Sequence, residues 1–139
     1  MMLNIPILVG MILAVVAPSL ASHTQAQERV LHPIYDKCSE DLGIPLKERY
    51  FERGFLGGLT ADDPNAFPFM FCVMLRLDFV NCTGTINQKA VVDFFTDGHD
   101  ITSLPGVVDE CDKNKSGKTV AERSFSFYRC FFDQKKFIV

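Results

Sequence analysis

The chain has 139 residues, a formal net charge of −3 at pH 7 and a pI near 5.5. Its Lys and Arg are scattered among acids rather than gathered on one stripe, which excludes the electrostatic footprint of a nucleic-acid binder. The length suits a single domain with its own core, and thirteen Phe with three Tyr and no Trp supply many flat apolar rings for a core or for the wall of a cavity.

Residues 1–17 carry no charged side chain, and the apolar run over 5–16 is about a dozen residues long. A membrane span needs roughly 20, so this run fits the apolar centre of a secretory signal peptide instead. The basic residue usual near the start of such a peptide is missing. Small-x-small patterns at Ser19-Leu20-Ala21 and Thr24-Gln25-Ala26 offer two cleavage points. Residues 1–21 are therefore expected to be a signal peptide, with cleavage as late as Ala26, and residues 27–139 a single helical domain. No later apolar run is long enough to span a bilayer. The expected product is secreted and extracellular, without stable membrane insertion.

Periodicity places helices along the remainder. Over 28–41, Val30, Leu31, Ile34, Tyr35 and Cys38 form one apolar stripe, stopped by Gly43, and Pro45 opens the next unit. Residues 46–59 read as a second helix closed by Gly57-Gly58. Asp62 or Asp63 is expected to cap a third over about 65–80. That helix is apolar on nearly every side (Phe67, Phe69, Met70, Phe71, Val73, Met74, Leu75, Leu77, Phe79), which places it at the centre. Asn81-Cys82-Thr83-Gly84 breaks the pattern. A short fourth helix over 87–95 spaces Val91, Phe94 and Phe95 at i, i+3, i+4, and Gly98 ends it. Leu104-Pro105-Gly106 leads into a fifth over about 107–113. Thr119 caps a sixth over 120–133, with Glu122 three positions on, as a capping box requires. No segment alternates convincingly with period two. The fold class is all-α, a compact bundle of about six helices.

Five cysteines, Cys38, Cys72, Cys82, Cys111 and Cys130, should form bridges in a small secreted chain. The odd count leaves at least one unpaired, and spacing alone does not give the pairing. No Cys-x-x-Cys occurs, which argues against a redox dithiol or a zinc knuckle. Asp112-Lys113-Asn114-Lys115-Ser116-Gly117 imitates the start of a calcium loop, but its twelfth position, where a bidentate Glu belongs, is Arg123. No metal and no cofactor is expected. His32 and His99 accompany no nucleophile motif. The pair His99-Asp100 lacks the adjacent cysteines and glycine-rich calcium loop of a secreted phospholipase. The chain is read as no enzyme. Asn81-Cys82-Thr83 and Asn114-Lys115-Ser116 are N-glycosylation sequons in predicted loops, making Asn81 and Asn114 candidate modification sites.

On these residues the chain resembles the insect odorant-binding (pheromone-binding) proteins. That family carries six cysteines, with three residues between the second and third and eight between the fifth and sixth. Laid on this chain, the frame puts Cys38 first, Cys72 third, Cys111 fourth and Cys130 sixth, while the second falls on Pro68 and the fifth on Ala121. The resemblance implies pairing of first with third, second with fifth and fourth with sixth. Cys38–Cys72 and Cys111–Cys130 are then the expected disulfides, and the two absent cysteines are each other's partners. This looks like the C-minus branch of the family. A rival register, with Cys72 second and Arg76 third, leaves two bridges half-made. Gly84, Tyr35-x-x-Cys38, Val107-Val108-x-x-Cys111 and Phe127-Tyr128-Arg129-Cys130-Phe131-Phe132 fit the first frame, over about 30–132. Cys82 is extra to it, either a free thiol or an intermolecular bridge.

The resemblance implies six helices around an internal apolar cavity, stapled by two disulfides. It implies a carrier that binds and transports small hydrophobic molecules (odorants, pheromones or lipid-like ligands), performs no chemistry, serves a chemosensory receptor and is a monomer or weak dimer. Such pockets are mostly apolar with a few orienting polar groups. The expected ligand contacts are Leu59, Phe67, Phe71, Met74 and Leu75 from the early helices, and Phe94, Phe95 and Val108 on another wall. Phe125 and Tyr128 of the last helix complete the set, the Tyr128 hydroxyl as polar anchor. Phe137, with Ile138 and Val139, is a candidate lid or a loose tail. The alternative is a secreted interaction protein of haemolymph, seminal fluid or saliva, its interior filled by Phe and its surface bearing an apolar patch.

Overall fold

The computed structural model describes residues 24–55, 57–96 and 102–134. The expected signal peptide, Gly98, His99 and the tail with Phe137, Ile138 and Val139 lie outside the described residues. Within them the chain is all-helical, in chain order α1 (Gln25–Asp41), α2 (Tyr50–Phe55), α3 (Ala66–Arg76), α4 (Gln88–Phe95), α5 (Leu104–Asn114) and α6 (Val120–Asp133). A single turn of 3-10 helix, Leu46–Glu48, precedes α2, and one isolated antiparallel bridge joins Val80 to Ile86.

α1 begins earlier than its apolar stripe because its start signal is polar. The Thr24 hydroxyl accepts the Gln27 backbone N–H at 3.2 Å, and the Gln27 side-chain carbonyl accepts the Thr24 N–H at 2.9 Å. This is a reciprocal capping box. Gln27 is itself buried, and its amide donates to the Phe94 carbonyl at 2.8 Å, tying α1 to α4. Pro33 removes one helical donor from the middle of α1, yet Leu31, Tyr35 and Cys38 still form one buried stripe.

The second expected helix is broken and shortened. Arg49 adopts a left-handed conformation (φ 56°), which ends the 3-10 turn, and α2 spans only six residues after it. The third stops sooner than its apolar run, because Leu77 caps it and Asp78 turns back at φ 61°. Its N-cap is Asn65, not Asp62 or Asp63, and no side-chain bond caps it. Asp63 is engaged elsewhere. Its carboxylate accepts the Thr60 N–H at 2.8 Å and pairs with Arg53, while the Tyr50 hydroxyl bonds the Pro64 carbonyl. The 60–65 loop is thus fastened to α2. α5 opens at Leu104, its first turn holding Pro105 where a missing N–H costs nothing. At α6 the Thr119 hydroxyl accepts the Glu122 N–H at 3.1 Å, but the Glu122 carboxylate reaches the Lys118 N–H rather than that of Thr119.

The Arg53–Asp63 pair has a pH signature. The Arg53 hydrogen bond is the largest influence holding the Asp63 carboxyl below its ordinary value. A lowered folded-state pKa stabilises above the unfolded value near 4 and is lost as pH falls through the folded value. Acid titration of unfolding should therefore show a loss below about pH 4, worth on the order of 0.5–1 kcal/mol for a partly exposed pair, and Asp63→Asn should flatten it. An unchanged acid limb in that variant would remove this role.

Two disulfides staple the bundle. Cys38–Cys72 joins α1 to α3 (Cα–Cα 5.9 Å), and Cys111–Cys130 joins α5 to α6 (Cα–Cα 5.6 Å). Cys82 is free and exposed. α3 packs along α6, so the most apolar helix is central, as its composition requires.

Candidate ligand-binding site

The helices around that contact leave a central cavity. α1 contributes Leu31 and Tyr35, one turn apart. α3 contributes Met70, Val73 and Met74, followed by Leu77 and Phe79. α4 contributes Val91 and Phe95, and α6 contributes Phe127, Tyr128, Phe131 and Phe132. Each helix presents an i, i+3/i+4 stripe, so a short apolar repeat on each suffices to build the wall. Apart from the two tyrosines, every lining side chain is apolar. Rings run in contact along it: Tyr128–Phe132 at 4.9 Å, Phe131–Phe132 at 5.8 Å, Phe95–Phe131 at 4.7 Å and Phe79–Phe95 at 6.0 Å.

The cavity measures about 40 Å³. That is room for a few waters at most, far below the few hundred Å³ of a small-molecule pocket. A ligand enters only if side chains yield. Met70 and Met74, unbranched and adaptable, are in its wall.

Of the expected contacts, Met74, Phe95 and Tyr128 line the cavity. Leu59 and Val108 are fully buried but away from it. Phe125 is buried between Phe67 (5.2 Å) and Tyr128 (5.4 Å), one ring removed from the space. Phe94 packs on Phe79 and Phe95 behind the wall. Phe71 and Leu75 lie in an outer groove with Pro68, Cys72, Arg76 and Ala121. Leu31, Tyr35, Met70 and Val73 were not foreseen as contacts, nor were Leu77, Phe79, Val91, Phe127, Phe131 and Phe132. The stripe of α1 contains the first two, but nothing in an isolated stripe says that it faces a space rather than packed atoms. In α3, apolar all round, periodicity does not choose the inner side.

The polar groups are placed unequally. The Tyr128 hydroxyl, the expected anchor, donates to the Gly54 carbonyl at 2.8 Å. Burial, first among several influences, pushes its pKa well above the ordinary phenol value, opposed by Arg129 and the Leu59 N–H. Burial likewise raises Tyr35, with Tyr128 adding to it. Both phenols are neutral donors. Arg129 spans from the Gly57 and Leu59 carbonyls to Asp133, pinning the loop after α2 against α6 beside the cavity. Among the described residues no group of His, Cys, Asp and Glu could hold a metal ion, and no helix is long and apolar enough to cross a membrane.

Among the described residues, six helices, two staples and an apolar, ring-lined interior define a small helical binding protein. The model of the PBP/GOBP family matches residues 20–134, and the chain belongs to that family, the odorant-binding proteins, which bind small ligands and are not enzymes. No curated protein and no solved structure matches the chain.

Proposed function

We propose that this protein is a secreted carrier that takes up a small hydrophobic molecule, odorant, pheromone or lipid-like, in the cavity between α1, α3, α4 and α6 and releases it unchanged, for instance at a chemosensory receptor. The observation that carries this reading is the apolar, ring-lined cavity in a member of a ligand-binding family. Two disulfides fit an extracellular setting. The chain is of the C-minus type: Pro68 and Ala121, where the second and fifth cysteines would stand, line one groove. A leader ending at Ala21, rather than Ala26, is supported by the capping box of α1, which needs Thr24. Exposed Asn81 and Asn114 are available for glycosylation, and the carrier works as a monomer or weak dimer.

The small volume favours one competing reading, an interaction protein whose interior is simply full. Against it, the exposed large apolar side chains among the described residues are two, Val30 and Leu46, on separate elements, rather than a patch.

Native mass spectrometry of the secreted protein, before and after organic extraction, decides between them and weighs the N-terminus and any glycan at once. A carrier shows an excess of a few hundred daltons that extraction removes. A protein that carries only its own mass and refuses a panel of fatty acids and volatiles is no carrier. As a companion, Val73→Phe should fill the cavity from a wall position that is 1% exposed. It should abolish uptake of a nonpolar fluorescent dye at a stability cost of about 1–3 kcal/mol. Undiminished uptake by a folded variant would place the site elsewhere.

A further inference from the structure

We propose that the Tyr35 hydroxyl is the polar end of the cavity, and that it selects ligands bearing a neutral hydrogen-bond acceptor, a ketone, aldehyde or ester carbonyl, at one end of an apolar body. The inference rests on the carrier reading above and specifies its ligand class.

Tyr35 is 4% exposed and lines the cavity. Its ring is held edge-on by Phe51 and Phe69, each at 5.4 Å, and is not free to swing its hydroxyl to solvent. The hydroxyl ends beside Gly54: a Cβ placed there would lie 3.3 Å from the Tyr35 oxygen and 2.7 Å from the ring. The Gly54 carbonyl receives the Tyr128 hydroxyl at 2.8 Å and the Gly57 N–H at 3.2 Å. Tyr128, not Tyr35, bonds that carbonyl. Among the described residues the Tyr35 hydroxyl has no hydrogen-bond partner. A buried orphan donor is costly, and a phenylalanine would keep the ring packing without it. A guest that brings an acceptor satisfies the donor.

The charge of the guest follows from the wall. Among the described residues no Lys, Arg or His lines the cavity, and the nearby Arg129 is already bonded to two carbonyls and to Asp133. A carboxylate would enter without a counter-charge, which its desolvation forbids. A neutral carbonyl enters without that cost.

The test is displacement of N-phenyl-1-naphthylamine by octan-2-one, octane and octanoate from the wild-type protein, Tyr35→Phe and Tyr128→Phe. The ketone should bind the wild type about tenfold tighter than octane, the worth of one hydrogen bond, and octanoate should bind worst. Tyr35→Phe should erase the ketone's advantage, leave octane unchanged, and leave the unliganded melting temperature equal or higher. Tyr128→Phe should lower that temperature, because it breaks a satisfied bond. Retention of the ketone preference in Tyr35→Phe, or octanoate binding best, overturns the proposal. Equal binding of ketone and octane, unaltered in Tyr35→Phe, overturns it and leaves the carrier reading standing. Failure of the dye and of both neutral ligands to bind the wild type overturns both.

Discussion

Replacing Cys38 and Cys72 together should lower the unfolding free energy by about 4 kcal/mol, and replacing Cys111 and Cys130 by about 3 kcal/mol. The difference comes from the loops closed, 34 and 19 residues, whose freedom in the unfolded chain grows with the logarithm of length. Either loss is a large part of the 5–15 kcal/mol that holds a domain together. The two should differ more in function than in stability. Cys38–Cys72 ties α1, with Leu31 and Tyr35, to α3, with Met70, Val73 and Met74, which are two walls of one cavity. Cys111–Cys130 ties α6 to α5, which contributes nothing to the lining. Dye binding should therefore fall sharply in the first double variant and only mildly in the second, both measured well below the melting point. Ala replacements are preferable, because Cys38 and Cys111 are fully buried and a Ser hydroxyl there would add an unsatisfied group. Equilibrium urea unfolding gives the stabilities. A change below about 1 kcal/mol in either pair would mean that the unfolded chain is already restricted in the same way.

The helices were legible wherever an apolar stripe coincided with local capping. For α4 and α6 the periodic residues and the cap lie together: Asn87 accepts the Ala90 N–H, and Thr119 that of Glu122. The reading failed where a polar side chain had a better partner at longer range. Asp63 has the composition of an N-cap, but Arg53 and the Thr60 N–H take its carboxylate, and α3 starts without a side-chain cap. Residues 46–59 carry helical periodicity that does not register the left-handed turn at Arg49. The disulfides followed from the family frame, because pairing is a property of the fold and not of spacing.

The site was harder to read than the fold for a physical reason. A surplus of Phe serves a core and a cavity equally, and only the packed arrangement separates them. Phe125 and Phe95 look alike on their helical faces, yet Phe95 meets the space and Phe125 meets Phe67 and Tyr128. The polar anchor shows the same limit. Tyr128 and Tyr35 are equivalent as residues, and the geometry around Gly54 decides which hydroxyl is spent.

Introducing cysteines at Pro68 and Ala121 should form a third bridge and stabilise the oxidised protein by about 2–4 kcal/mol over its reduced form. Both positions line one groove, Pro68 in the first turn of α3 and Ala121 in the first turn of α6. The loop closed would be 53 residues long, longer than either native one, so the chain-entropy gain is at least as large before any strain. Removing Pro68 from the first turn of α3 costs little, since an N–H there has no helical partner to find. The substitution belongs in a Cys82→Ser background, because the exposed thiol would otherwise compete in exchange. Oxidation should remove two hydrogens by mass with no dimer formed. The bridge would clamp α3 to α6, and those helices supply Met70, Val73 and Met74 on one side and Phe127, Tyr128, Phe131 and Phe132 on the other. A cavity of about 40 Å³ that admits ligand only when its walls part should then take up the dye more weakly, or accept fewer and smaller ligands. If the thiols stay reduced under oxidising conditions, Pro68 and Ala121 do not stand in for a lost pair, and the alignment of this chain with the six-cysteine frame has to shift. If the bridge forms and binding is unaltered, opening does not proceed by separation of α3 from α6, and the yielding element is α1 or α4.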